Sequence, residues 1–193
     1  MPSTESRMVI DLPRWENHRH KKGAEIVNRA GPYGAGPWLE LGSGIGNNTF
    51  PLSEKVGLVI ALDMSSRDLM AQRQKKTEIY PLQADFQVRL PIRTDSLGGI
   101  FSSFSLHFVK EPALVFREVG RVLRPGGTFI LVEYQTSKSV PWIPFPLPKK
   151  SALRLLYHEG FESIKSLHET SRYFILRSRK SVTPGLPPTT AGG

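Results

Sequence analysis

The segment Trp38-Leu-Glu-Leu-Gly-Ser-Gly-Ile-Gly46 limits what this chain can fold into more than any other stretch. A short, mainly apolar run ends in three glycines spaced two apart, and Asn47-Asn48 then open a helix-like stretch. A buried strand that turns at once into a helix, through a loop nearly free of side chains, is how an open α/β sheet makes room for a nucleotide-like ligand. Alone, Gly-x-Gly-x-Gly is a weak signal. Asp63 and Asp85, each closing a strand-like segment further on, give it weight.

The rest of the sequence repeats that rhythm. A polar helix is expected over residues 14–30, ended by Gly31-Pro32, and a first strand over Trp38–Leu41. A second strand covers 57–62, and Ser65 or Ser66 caps a helix running to about residue 76. Ile79–Gln83 reads as a poorer strand whose Pro81 suits a sheet edge. A fourth strand covers 99–103. Residues 112–123 carry a helical stripe with proline in the first turn, broken by Pro125-Gly-Gly127. A fifth strand over 128–134, a helix over Lys149–His158, and two mutually antiparallel strands over 161–166 and 172–178 complete the pattern. The prediction is one doubly wound α/β domain over residues 13–180, with a mostly parallel seven-stranded sheet and an antiparallel last strand. Residues 13–35 form an N-terminal helix or lid, and 1–12 and 181–193 are flexible tails. Ligands in such sheets lie outside the carboxyl ends of the strands, so residues 40–46, Asp63, Asp85 and Ser103 onward should face one crevice.

Composition narrows the chemistry. The 193 residues, 39% hydrophobic and 22% charged, suit one soluble domain with a real core. The longest apolar run, 56–62, is far too short to span a membrane. Glu5, Asp11 and Glu16 argue against a secretory leader, which makes a cytoplasmic location the expectation. With no cysteine there is no disulfide, thiolate metal site or cysteine nucleophile. His18 and His20, two apart and without further ligands, make a poor metal pair, so no metal is expected. The net charge of +9 is concentrated towards the two ends and would favour a phosphate-bearing partner, although the aromatic signatures of RNA-binding modules are missing.

Five segments, in order, resemble the class I S-adenosylmethionine-dependent methyltransferases over roughly residues 36–178. Leu39-Glu-Leu-Gly-Ser-Gly-Ile-Gly46 is similar to that family's first motif, Leu62-Asp-Met-Ser65 to the acidic end of its second strand, and Gln83-Ala-Asp-Phe86 to its adenine-side turn. Residues 90–97 with Ser102-Ser-Phe-Ser-Leu-His107 resemble its fourth-strand region, and Val122-Leu-Arg-Pro-Gly-Gly127 the turn before strand five. The resemblance implies S-adenosylmethionine as cofactor. Gly42, Ser43, Gly44 and Gly46 would let the backbone approach its methionine end, with Glu40 holding the amino group. Asp63, 21 residues beyond Gly42, would accept from the ribose hydroxyls. Asp85 would accept from the adenine amine, Met64 and Phe86 would flank the ring, and Ser102 or Ser103 would border the methyl group. A dinucleotide loop would place its third glycine one position later, at Asn47, which disfavours a nicotinamide cofactor.

Methyl transfer from a sulfonium needs alignment more than a catalytic dyad. His107 is the best candidate for a general base, although packing is its commoner role, and Glu133 and Tyr134 end the fifth strand on the same rim. Trp142 is expected to cover the core, and His18 and His20, near Trp15, to form part of a lid. Ser102-Ser-Phe-Ser105 stands where methyltransferases of planar amines commonly carry Asp/Asn-Pro-Pro-Tyr/Phe, which disfavours such acceptors. Gly98-Gly99, where relatives often carry aspartate, should loosen the start of strand four. A small-molecule acceptor is the leading expectation, an RNA or protein acceptor the second, and a non-catalytic cofactor-binding subunit the third.

Overall fold

The computed structural model describes residues 12–72 and 78–183, the side chains of residues 12–20 excepted. Seven strands form one sheet in the order β3-β2-β1-β4-β5-β7-β6. They are β1 (Trp38–Leu41), β2 (Val59–Asp63), β3 (Ile79–Gln83), β4 (Leu97–Ser103), β5 (Leu123–Tyr134), β6 (Phe161–Glu169) and β7 (Tyr173–Lys180). The helices are α1 (Leu12–Ala30), α2 (Thr49–Val56), α3 (Ser66–Gln72), α4 (Pro112–Val122) and α5 (Lys149–His158). Strands β1 to β5 pair in parallel, and β7 runs antiparallel to both β5 and β6. This is the doubly wound sheet the sequence predicts, with the Pro81 strand at one edge.

The two faces of the sheet separate residue by residue. Along β5, Phe129 and Leu131 join a core with Phe116 of α4, Leu156 of α5, and Phe174 and Leu176 of β7. The alternate residues Ile130 and Val132 pack with Ile26 and Val27 of α1, Trp38 and Ile175. That period of two is what a strand buried on both faces requires. Helix α4 buries Val115, Phe116, Val119 and Val122 along one stripe, with Pro112 in its first turn, where a missing N–H does no harm.

Element ends shift where local geometry intervenes. Strand β2 starts at Val59 because Gly57, at φ +78°, closes α2 with its N–H on the Ser53 carbonyl. Helix α4 passes into β5 without a break: Leu123 pairs with Leu97, the next pair is Thr128 with Gly99, and Arg124–Gly127 bulge out of the ladder between them. Gly98 and Gly99 stand where the β4–β5 register shifts, and close packing requires glycine at both. A Cβ on Gly98 would lie 2.2 Å from the Ala35 carbonyl oxygen, and one on Gly99 2.2 Å from the Trp38 indole. Helix α3 is described to Gln72, and its expected continuation to residue 76 lies outside the described residues. Most of the expected tails, 1–11 and 184–193, lie outside them too; Leu12 already belongs to α1, and the Ser181 N–H bonds the Gly160 carbonyl. Among the described residues no helix is long and apolar enough to cross a membrane.

Candidate functional site

Chain order reverses between β1 and β4, and register carries the motifs to the same rim. Leu41 stands beside Leu62 on one side and Ser102 on the other, so Gly42, Asp63 and Ser103 emerge together. The three glycines of the turn have different reasons to be glycine. All have positive φ. A Cβ on Gly42 would come within 2.6 Å of the Ser105 Cβ, and one on Gly46 within 2.7 Å of the Phe50 ring. Packing inside the protein already requires glycine at these two positions. Gly44, at φ +51°, has nothing within 4 Å of such a Cβ and faces open space.

Glu40 lies beneath this turn, 1% exposed. Its Oε2 accepts from the Thr49 hydroxyl at 2.5 Å, and its Oε1 has no partner. Burial raises its pKa to about 8, against the lowering effects of the Thr49 and Asn48 side chains and with a smaller upward push from the Asp63 charge. The same burial raises the nearby Tyr33 hydroxyl, with the Glu40 charge adding to it. At the end of β2, Asp63 Oδ2 accepts from the Gly44 N–H and Oδ1 from the Ser65 N–H, both at 2.8 Å. The carboxylate is thus held against the open glycine with further lone pairs available. Asp85, past the end of β3, accepts the Gln87 N–H through Oδ1 at 2.8 Å, so it also shapes a local turn. Met64 is 61% exposed, and Phe86 is half-buried with a ring atom 3.7 Å from the Cβ position at Gly42.

Sequence reasoning missed three members of this constellation. Gln72 of α3, fully buried, donates to the Ser43 hydroxyl at 2.9 Å and to the Gly44 carbonyl at 2.6 Å. Ser105 donates to the Leu41 carbonyl and shares a 2.8 Å bond with Ser102. Thr49 has been named above. Each is an ordinary polar residue in sequence, and only the fold brings it to the loop. Four buried polar atoms without a partner remain among the described residues: Glu40 Oε1, Asn47 Oδ1, Gln72 Oε1 and Ser103 Oγ. All belong to the glycine loop, to the residues holding it, or to the end of β4.

On the β4–β5 side, His107 and Glu133 form a buried pair, with Nδ1 2.9 Å from Oε2. Glu133 also accepts the Leu106 and Tyr134 N–H groups at 2.8 and 3.2 Å and is wholly enclosed. Tyr134 is half-buried, its ring 5.1 Å from the imidazole and 4.6 Å from Phe104. Trp142 does not cover the core: it is 67% exposed, since Pro141 and Trp142 form the tip of a turn bridged between Val140 and Ile143. The second half of α1 is core rather than a loose lid. Its Gly23 lies so near the loop that a Cβ would meet the Asn47 carbonyl oxygen at 2.0 Å. The side chains of Trp15, His18 and His20 lie outside those described. A cavity of about 500 Å³ walled by Arg89, Arg93 and Arg121 sits along α4 towards the start of β4, away from these carboxylates.

Comparison with known proteins agrees with this geometry. The profile of a family described as methyltransferase domain matches residues 39–131. An uncharacterized chloroplastic methyltransferase of Arabidopsis thaliana is 33% identical over 113 residues, covering 54% of this chain and 32% of that protein. A demethylmenaquinone methyltransferase of Corynebacterium kroppenstedtii is 32% identical over 98 residues, 51% of this chain and 42% of the other. The chain therefore spans less than half the length of these curated relatives. The crystal structure of YcgJ from Bacillus subtilis superposes with a TM-score of 0.71 at 14% identity, covering 84% of this chain and 99% of that one. That likeness establishes the fold.

Proposed function

Because the chain is a member of the class I S-adenosylmethionine-dependent methyltransferase superfamily, by its matching domain and its seven-stranded fold, we propose that it methylates a small molecule whose acceptor atom gives up a proton. Bound S-adenosylmethionine supplies a methyl group already activated on a sulfonium. The observation that carries the cofactor reading is the set of unpartnered buried polar atoms around an open glycine. Glu40 Oε1 and the loop backbone at Gly44 are suited to the amino-acid end, Asp63 to the ribose hydroxyls, and Asp85 with Met64 and Phe86 to the adenine. Ser102 and Ser103, at the end of β4, would border the reacting methyl.

His107 and Glu133 support the acceptor half of the reading. Glu133 fixes the ring through Nδ1, which would leave Nε2 to take the proton that the acceptor atom gives up on methylation. Glu133 then stabilises the imidazolium. Tyr134 meets the imidazole in an edge arrangement, centroids 5.1 Å apart, and would shape the acceptor wall. The match to a demethylmenaquinone methyltransferase is in keeping with a small acceptor. In a screen of phenols, quinols and carbon acids for release of S-adenosylhomocysteine, His107→Asn should lower kcat roughly 10²–10⁴-fold and leave affinity for S-adenosylhomocysteine unchanged. Unaltered kcat would remove the base role.

An RNA acceptor is the second reading, supported by exposed Lys165 paired across strands with Arg177, and by Arg179 on the same ribbon. Binding to RNA that is absent, or indifferent to salt, would eliminate it.

A further inference from the structure

We propose that the rim carrying Phe108, Leu114, Trp142 and Phe145 docks on an anionic lipid surface. Strands β4 and β5 end on one rim, where α4 and α5 begin. Phe108 follows β4, Leu114 lies in the first turn of α4, and Trp142 and Phe145 belong to the segment joining β5 to α5. The Phe145 N–H bonds the His107 carbonyl at 3.0 Å, which fastens this segment to the end of β4.

Their exposures are 54%, 52%, 67% and 41% respectively. Four large apolar side chains exposed on one rim mark an interaction surface. The indole is presented by a fixed turn: Val140 and Ile143 exchange backbone hydrogen bonds at 3.2 and 2.9 Å, and buried Ile143 anchors the tip. Tryptophan held in this manner suits the boundary between water and hydrocarbon.

Charge selects the partner. Segments 106–116 and 136–155 contain Lys110, Lys138, Lys149, Lys150 and Arg154 against one acid, Glu111. Lys149 pairs with Glu169. Lys110, Lys138, Lys150 and Arg154 are exposed and have no ion-pair partner among the described residues. Lys110 and Arg154 flank a groove of about 510 Å³ with an apolar floor that includes Val109, Pro146, Leu147 and Leu155. Cations around an apolar centre match lipid headgroups above acyl chains. The surface adjoins the acceptor side of the crevice, but docking does not depend on methyl transfer.

The test is co-sedimentation of the full chain with vesicles of phosphatidylglycerol and phosphatidylcholine, and with vesicles of phosphatidylcholine alone. A Trp15→Phe background leaves buried Trp38 and exposed Trp142 as the emitting residues. The anionic vesicles should sediment the protein and shift its emission to the blue. Trp142→Ser, or Lys110→Glu with Arg154→Glu, should weaken binding about tenfold or more and leave S-adenosylhomocysteine affinity intact. Lys165→Glu with Arg179→Glu, on the distant ribbon, should have far less effect. Failure to sediment with anionic vesicles, unshifted emission, or equal losses from both charge pairs would overturn the proposal. So would binding to polyglutamate but not to vesicles, which would assign the surface to an acidic protein.

Discussion

Glu40 carries a proton that its position makes consequential. Its pKa in the folded protein is about 8, far above the ordinary value of 4.5, because burial disfavours the charge. The folded state therefore holds the proton more tightly than the unfolded chain does. The stability it confers is complete below the ordinary carboxylate range and is lost as pH climbs through about 8. Melting temperatures of the cofactor-free protein should fall across that interval, and Glu40→Gln should flatten the slope. Binding should respond more sharply to the loop and to Asp63. Gly44→Val should abolish calorimetric binding of S-adenosylhomocysteine while the fold survives, since the new side chain meets open space and costs about 1–2 kcal/mol in backbone strain. Asp63→Ala should weaken binding tenfold or more, as a charged hydrogen-bond partner is worth about 1.5–3 kcal/mol. Sequence alone singled out both carboxylates and all three glycines, and register brings Gly42 and Asp63 to one rim. It could not separate Gly44 from Gly42 and Gly46, because Ser105 lies far along the chain and the placement of the Phe50 ring depends on how α2 packs.

Elements were legible where periodicity decides, and less so where a single contact does. Strands β1 and β3 and helix α5 fall where the pattern of apolar and turn residues puts them. The starts of β2 and β5 depend on a left-handed glycine and a bulge, which leave no periodic trace. Paired glycines at the start of β4 illustrate the point: they read as a weakness and are a requirement. Gly99→Ala would drive a methyl group into the Trp38 indole, and overpacking of this kind typically costs about 1–3 kcal/mol. Denaturant melts should show that loss. Helix α3 has a further task, since Gln72 ties it to the glycine loop. Gln72→Met keeps the bulk and removes both donors, and should lower S-adenosylhomocysteine affinity several-fold with little change in the melt.

At the scale of the molecule, the β1–β3 half of the sheet, proposed to hold the cofactor, announces itself because its motifs are compact in sequence. The β4–β5 half, proposed to face the acceptor, does not. His107 and Glu133 lie 26 residues apart and are joined only through the adjacency of β4 and β5. Trp142 was expected to cover the core, as a large aromatic usually does, whereas the Val140–Ile143 turn, with Pro141 beside it at the tip, holds it outward. The insertion of β7 between β5 and β6 adds a topological dependence. A chain shortened to end before Tyr173 would leave β5 with a bare outer edge and β6 with no neighbour to pair with. Completion of this half of the sheet thus waits on β7, the last strand among the described residues, and a chain lacking it would offer its longest described strand to any passing copy of itself.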